Sequence, residues 1–418
     1  MNASGSIARR DPESELLVFD FMGNPPGDPY PFYRKLREKA PALITSDGNM
    51  MVLSRHADCV AALRNRAFGK GEEWIQARNV GGEEIRPVME RLQKTMILTN
   101  PPEHTRLRRV ISSAFTLRHV DALRPGIAQR TDTLLDKLAA APGADFMDLV
   151  AMPLPVGVIG DLLGIPESDR ARLVPWIHEA GLLIEPASGR EEIIRGARAE
   201  KKLAAYVTEL IASKRAHPGD DLVSRLTVAE ADGMIDETET VATAILLFGG
   251  GNKPTSNLLG NGLHALMANP DQFQRIREDR SLIPAAVEEM LRYDSPAHVD
   301  ALSVLQPATF AGTELRQGQT LIILLGSANR DPDQFPEPDR FDVGRNSGSH
   351  LAFASGPHFC LGSPLARVMA EVFLTRALER FTDITPAGTP RRTTGLGHHG
   401  FESLPVTASP RETGVKPG

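Results

Sequence analysis

Apolar residues recur every three or four positions along much of the chain, a spacing that predicts amphipathic helices. The pattern predicts helices over residues 31–39, 57–66, 106–115, 125–141, 156–163 and 191–214. The longest helix begins after Asp236, which has capping-box spacing to Glu239, and it ends near Ala268. This helix spans roughly 33 residues, about 50 Å, and a helix of that length needs burial along its course.

Short apolar runs predict only a few strands. Residues 42–44, 50–53 and 321–325 are runs of this kind. No Gly/Ser-rich or charged linker divides the 418 residues, so we expect one large domain. Its ordered core is expected over about 15–407, with flexible ends. The sequence therefore predicts a mainly α protein with small β-sheets.

Composition and charge exclude several classes of protein. Apolar residues make up 41% and charged residues 24%, and the net charge of −6 gives no basis for binding nucleic acid or an anionic membrane. The first residues lack the apolar core of a signal peptide, and the apolar stretch 241–251 is too short to span a bilayer. Two cysteines, Cys59 and Cys360, do not make a disulfide framework, so we expect a cytoplasmic protein.

The stretch from Phe353 to Gly362 has the spacing F-x-x-G-x-H-x-C-x-G, with Cys360 as its cysteine. Its glycines let the backbone approach a large flat ligand, and its amides can donate to the sulfur. A helix predicted from Ser363 brings the positive end of its dipole beside that sulfur. A lone cysteine is usually a small buried apolar residue, but this context favours a thiolate that binds haem iron.

Other segments extend the pattern. Glu289-Met290-Leu291-Arg292 reads E-x-x-R. Residues 100–109 and 328–341 also look like segments of a known protein family, and the segments follow one another in the order that this family has. Together with the cysteine loop, they make the chain resemble a cytochrome P450 of the soluble bacterial type over about 30–406. The resemblance implies the P450 fold, haem b with Cys360 as the iron ligand, and monooxygenase activity on a small or medium organic molecule. It also implies electrons from NAD(P)H through a ferredoxin reductase and a ferredoxin.

The resemblance assigns structural roles to two residues. Glu289 and Arg292 are expected to form a buried ion network that holds the cysteine loop. The expected third member is Arg330 or Arg340.

The resemblance also indicates how the haem is held. Phe353 and Gly362 belong to the cofactor loop, and His104, Arg108 and His358 match positions that contact haem propionates in relatives. Where relatives often have a further arginine for a propionate, this chain has Leu302. We therefore expect one propionate to be held differently.

The largest departure from the family lies in the long helix. Relatives carry an acid and an alcohol there, which relay protons during dioxygen activation. Aligned on Gly250, Gly251 and Asn257, these positions are Lys253 and Pro254 in this chain, and neither residue performs that task. The glycines and the proline also weaken the helix by several kcal/mol, and the proline predicts a kink. Residues that oppose the local secondary structure in this way are most often found at a functional site.

Three functional interpretations of this segment remain open. In the first, a substrate hydroxyl or carboxylate, or ordered water, completes the proton path, with Thr255 or Ser256 contributing. In the second, peroxide drives the reaction and Lys253 anchors a substrate carboxylate, similar to the Arg-Pro pair of fatty-acid peroxygenases. In the third, the chemistry needs no relay, as in oxidative coupling, desaturation or nitric oxide turnover. A non-catalytic haem protein that binds or senses a gas is the alternative from another class.

The substrate pocket is indicated only by similarity. The residues expected to line it are Trp74, Met96, Ile97, Phe248, Ala297 and Phe401. Each of them is otherwise an ordinary core residue.

Overall fold

The structure, a computed structural model, describes residues 5–411, apart from the side chains of residues 73, 74 and 77. Within that range it contains seventeen α-helices and eleven short strands, and the predicted mainly α fold with small sheets is confirmed. Of the ends that were expected to be flexible, residues 1–4 and 412–418 lie outside the described range.

The helices are α1 (Pro12–Gly23), α2 (Tyr30–Lys39), α3 (His56–Arg64), α4 (Glu72–Arg78), α5 (Arg86–Gln93), α6 (Glu103–Ser112), α7 (Leu117–Ala122), α8 (Arg124–Ala139), α9 (Pro153–Leu163), α10 (Glu167–Ala180), α11 (Arg190–Ala216), α12 (Leu222–Ala231), α13 (Glu237–Ala268), α14 (Pro270–Glu278), α15 (Ile283–Tyr293), α16 (Leu325–Ala328) and α17 (Ser363–Arg380). The predicted helices correspond to α2, α3, α6, α8, α9, α11, α13 and α17, with ends that agree to within a few residues. Several others, such as α10 and α12, were not predicted. α1 was not predicted, although Asp11 caps it by accepting from the Ser14 amide.

The strands are β1 (Ala42–Ile44), β2 (Met50–Leu53), β3 (Phe68–Gly69), β4 (Val299–Val304), β5 (Ala308–Phe310), β6 (Thr313–Leu315), β7 (Thr320–Leu324), β8 (Phe381–Pro386), β9 (Arg391–Arg392), β10 (Phe401–Ser403) and β11 (Val406–Pro410). Five form a sheet in the order β1-β2-β7-β4-β3, in which β2 and β7 are parallel, with Met50 opposite Thr320. β11 pairs with β8 as far as Pro410, so order extends beyond the expected limit of residue 407.

The long helix α13 runs through the centre of the protein. Its first turn has the predicted capping box, since the Asp236 carboxylate accepts from the Glu239 amide at 2.7 Å and the Glu239 carboxylate accepts from the Asp236 amide at 2.9 Å. The first half of the helix joins one core cluster through Phe248, and the second half joins another through Leu259. The helix continues through Pro254, so the expected kink does not break it.

An ion network with a fully buried pair at its centre joins α15 to the segment that leads into the cysteine loop. Glu289 binds Arg292 on the same helix through two contacts, of 2.7 and 2.9 Å. Its other ionic partner is Arg345, at 3.2 Å, so the expectation of Arg330 or Arg340 in this place was wrong. Arg330 instead binds Asp339 and lies over the rings of Tyr30 and Tyr293, and the Arg340 side chain is exposed beside Glu337.

A second buried polar cluster lies where α15 ends. Asp294 accepts from Arg392 at 2.8 Å and lies 3.4 Å from His399. The ring of His298 stacks on His399, with centroids 4.4 Å apart, and bonds to the Tyr33 hydroxyl at 3.0 Å. Burial and the nearby His399 lower the pKa of His298 well below its usual value, so the ring is neutral in the folded protein.

Within residues 5–411, no single helix is long and apolar enough to cross a membrane. One pair of helical segments is long and apolar enough only when the two are taken together: Met147–Leu163 and Glu167–Leu183. The chain bends by 115° between them.

Replacing Glu289 is expected to destabilise the protein strongly. Glu289→Ala leaves Arg292 buried without its carboxylate, a loss of about 3–5 kcal/mol in the free energy of unfolding. Chemical denaturation measures this loss. Arg340→Ala is the matched control, because its exposed pair with Glu337 contributes only about 0–1 kcal/mol. Equal stability losses in the two variants would contradict the network.

Acidification is expected to destabilise the protein, partly through His298. Its folded pKa lies below the unfolded value of about 6.5, so its stabilisation is complete above that pH and is lost as the pH falls. The loss from this residue is about 1.4 kcal/mol per pH unit. Denaturation curves between pH 6.5 and about 5 measure the slope, and His298→Gln should flatten it by that amount. A variant with the parent's slope would show that His298 takes up its proton in the folded state.

Candidate active site

The cysteine loop is fixed against the rest of the protein by its backbone. A short 3-10 turn precedes Cys360, whose amide donates to the Phe353 carbonyl at 3.0 Å. Gly356 has a φ of +71°, and a Cβ there would lie 2.2 Å from the carbonyl oxygen of Leu63, so this close approach requires glycine. α17 begins at Ser363, which brings the helix N-terminus next to the sulfur.

The sulfur of Cys360 lies deep in the protein, yet it is accessible from a cavity that it lines. Burial raises the pKa of the Cys360 thiol, whereas the amides of Gly362 and Ser363 and the charge of Arg108 act to lower it. The loop therefore directs N–H groups and positive charge at the sulfur, as a metal-binding thiolate requires.

This inner cavity has a volume of about 340 Å³. It brings together all the residues predicted to bind the cofactor, which are His104, Arg108, Phe353, His358, Cys360 and Gly362. Three of the predicted pocket residues, Met96, Ile97 and Ala297, also line it. Its walls are mainly apolar, and the charged and imidazole side chains that line it lie together at one edge.

That edge is basic. The rings of His104 and His358 lie with centroids 4.3 Å apart, and Arg108 donates to the Pro357 carbonyl at 3.3 Å. The Nε2 atom of His104 is buried and has no hydrogen-bond partner among the described residues. A buried polar atom without a partner costs free energy, so this position fits a polar group of a ligand.

A lysine that the sequence analysis missed lies near the same edge. The ammonium of Lys70 contacts Asp300 at 2.7 Å and the Ala301 carbonyl at 3.0 Å. Asp300 lines the cavity, and although burial acts to raise its pKa, Lys70 holds it below the usual value. Leu302, the expected departure from the family, packs in the core. The cation on the β4 side of this edge is therefore Lys70.

The donor set fits a haem. Such a group needs a strong axial ligand, apolar walls for its rings, and cations or N–H donors for its propionates. Cys360 can supply the ligand, and His104, Arg108 and His358, which line the cavity, can supply the cation and the donors.

α13 forms another wall of the inner cavity. Gly250, Gly251, Pro254 and Thr255 line it, and the Thr255 hydroxyl has no hydrogen-bond partner among the described residues. Pro254 has no N–H, so the carbonyl of Gly250, four residues earlier, loses its helical donor. The wall therefore presents a hydroxyl and a carbonyl whose usual partners are missing.

Lys253 lies on a different side of α13. Each residue adds about 100° around a helix, so Lys253 and Thr255 are about 200° apart. Lys253 lines a second, outer cavity of about 570 Å³ and not the inner one. The structure thus separates Lys253 from Gly251 and Thr255, which line only the inner cavity, whereas Gly250 and Pro254 line both cavities.

Two aromatic residues predicted for the pocket lie in the core instead. Phe248 is 3% exposed in the cluster around α11 and α13, and Phe401 packs on the His264 ring at 4.8 Å. Neither lines the inner or the outer cavity, because their side chains point into the helix packing. The side chain of Trp74 lies outside the described residues.

Comparison with known proteins gives a consistent result. Residues 191–405 match the family model for cytochrome P450. The chain is 37% identical to cytochrome P450 107B1 of Saccharopolyspora erythraea, over 94% of this chain and 97% of that protein. It is 36% identical to the cytochrome P450 monooxygenase PikC of Streptomyces venezuelae, over 94% of each. The solved structure of the Bacillus subtilis 168 bacillaene polyketide synthase cytochrome P450 PksS covers 92% of this chain and 97% of its own, with a TM-score of 0.81 and 32% identity.

Cys360→Ser is expected to remove the spectral signature of a thiolate. The reduced carbon monoxide complex of the parent should have a strongly red-shifted Soret band, because the sulfur donates electron density to the iron. Absorption spectra of the purified protein measure this band. Cys59→Ser is the matched control, since Cys59 is buried in another core cluster and should leave the band unchanged. An unshifted band in the parent would contradict the assignment of Cys360.

Proposed function

The chain belongs to the cytochrome P450 family and is a monooxygenase, and we propose that it oxidises a small or medium organic molecule with an atypical proton supply. The observation that carries the proposal is the inner cavity, which Cys360 and Thr255 both line. A thiolate and a hydroxyl that face one apolar space are suited to activating dioxygen beside an apolar substrate.

Family membership implies a haem iron cofactor. Cys360 would bind its iron, and His104, Arg108 and His358 would hold its propionates. When bound, the haem supplies the activation of dioxygen, in which one oxygen atom enters the substrate and the other leaves as water. This reaction consumes two electrons and two protons, so the chain must admit both to the inner cavity.

Electrons are proposed to come from NAD(P)H through a ferredoxin reductase and a ferredoxin. The support is the chain's similarity to bacterial P450s along almost its whole length.

Protons are proposed to arrive through Thr255 and water. The Gly250 carbonyl, which lacks its helical donor because of Pro254, can accept from a water that also bonds to the Thr255 hydroxyl. A hydroxyl or carboxylate of the substrate, or further water, takes the place of the acid that relatives carry. Lys253 does not contribute to this path, because it lines the outer cavity.

The peroxide-driven alternative receives less support. In that reaction the anchored substrate carboxylate itself acts as the acid and base, so its cation must adjoin the reacting centre. Lys253 lines only the cavity that Cys360 does not reach. Turnover with hydrogen peroxide that exceeded electron-driven turnover would favour the alternative. A non-catalytic gas sensor is disfavoured by the monooxygenase relative.

The class of substrate is proposed from the walls and the relatives. The inner cavity is lined by apolar residues such as Met96, Ile159 and Leu258, which suits an apolar reacting segment. The similarity to a P450 of a polyketide synthase supports a role in secondary metabolism.

Thr255→Ala is expected to uncouple the reaction. With the hydroxyl removed, proton delivery slows by about 100-fold or more, and electrons are lost as hydrogen peroxide. Hydrogen peroxide released per NADH consumed, with a ferredoxin system and a substrate present, measures the effect. Thr255→Ser should restore coupling. Ser256→Ala is the matched control, because the Ser256 hydroxyl bonds to the Asn252 carbonyl at 3.0 Å inside the helix packing. Equal coupling in all variants would rule out Thr255 as the proton donor.

A further inference from the structure

The outer cavity adjoins the inner one along α13. It lies among the end of α10, the start of α11, α13 and the chain segment at residues 393–398. Four residues line both cavities: Ile97, Leu246, Gly250 and Pro254. They form the junction between the two cavities.

Glycine keeps this junction open. A Cβ at Gly250 would meet only the side chain of Leu246, at 3.8 Å, and a Cβ at Gly249 would meet only Ile177, at 3.6 Å. At Gly251, by contrast, a Cβ would lie 2.4 Å from Ile159, so that glycine serves helix packing. Side chains at Gly249 and Gly250 would fill space that belongs to the cavities.

Lys253 brings a positive charge to the outer cavity. It is half-buried, and it has no hydrogen bond or ion pair with any described residue. A partly buried ammonium without an anion is unfavourable, so the position favours a negatively charged occupant.

Two of the four carboxylates that line the outer cavity are engaged elsewhere. Glu185 accepts from the amides of Leu396 and Gly397, at 2.8 and 3.1 Å. Glu200 binds Arg91 through two contacts of 2.7 Å.

The two remaining carboxylates do not bind Lys253 either. Glu192 caps α11 by accepting from the Gly189 amide at 2.9 Å. Glu402 is exposed on β10 and makes no ion pair with any described residue. The charge of Lys253 therefore has no counterion from the described part of the chain.

Two histidines also line this cavity. His178 and His398 line it, and the pKa of each is lowered by burial and then by Lys253, that of His398 to about 4. Both rings are neutral at pH 7 and can donate an N–H to an anion.

We propose that Lys253 binds the acid group of an organic acid substrate in the outer cavity. The apolar chain of that acid passes Gly250 and reaches the inner cavity, where it is oxidised. This substrate class rests on the proposed function, because the inner cavity must hold the haem. Lys253 thus positions the substrate by binding its acid group, at the end that is not oxidised and away from the proton path.

Calorimetric titration of the haem-loaded protein with dodecanoic acid and with dodecanamide tests the anchor. The acid should bind about tenfold tighter or more, the value of one charge-assisted hydrogen bond. Lys253→Met should lower the affinity for the acid to that for the amide and leave amide binding unchanged. Lys253→Arg should keep the preference. Lys202→Met is the matched charge control, since Lys202 lies over Trp176 and lines neither cavity.

Equal affinities for acid and amide in the parent, or equal losses for both in Lys253→Met, would overturn the proposal. The junction is tested by Gly250→Leu, which should weaken dodecanoic acid at least tenfold and leave hexanoic acid unchanged. Unchanged binding of dodecanoic acid would refute the path past Gly250. The titration does not depend on turnover. A parent that binds the acid through Lys253 but lacks a thiolate carbon monoxide spectrum would contradict the proposed function alone.

Discussion

The carboxylate of Glu289 joins two parts of the chain that together position the cysteine. It binds Arg292 within α15 and Arg345 beyond it, and the hydroxyl of Ser347 donates to it at 2.6 Å. Desolvating these charges is unfavourable unless each has partners, and here Glu289 is saturated by donors. The segment after Arg345 continues directly into the cysteine loop. The site is therefore held by contacts that lie outside the cavity.

α13 lies between the inner and the outer cavity, and the rotation of about 100° per residue decides which cavity each of its side chains faces. Thr255 and Lys253 are two residues apart, so they face different cavities, while Pro254 between them lines both. Glycine and proline lower the intrinsic stability of this helix, and its burial between two core clusters offsets that loss. The same residues leave the Gly250 carbonyl without its usual helical donor and place a residue without a side chain at the junction of the cavities. The glycines and the proline that weaken the helix are thus also the residues that line the two cavities of the site.

Much of the fold followed from patterns local to the sequence. The capping box of α13, the strands β1 and β2, and the loop before α17 depend on neighbouring residues, and these were predicted well. The contact of Lys70 with Asp300 joins residues 230 positions apart, and Arg345 reaches Glu289 across 56, so no local signal marks either. Phe248 and Phe401 were assigned by similarity of position, which does not fix where a side chain points. The direction of Lys253 was accessible from the rotation of 100° per residue, once Thr255 was taken as the inner face.

The most direct test of a substrate site that extends over both cavities is a crystal structure of the haem-loaded protein with dodecanoic acid. We predict that the carboxylate lies within hydrogen-bond distance of the Lys253 ammonium in the outer cavity. The chain should pass Gly250, with its far end over the haem that Cys360 binds. A carboxylate in the inner cavity, or a Lys253 side chain paired with Glu402 at the surface, would contradict the account.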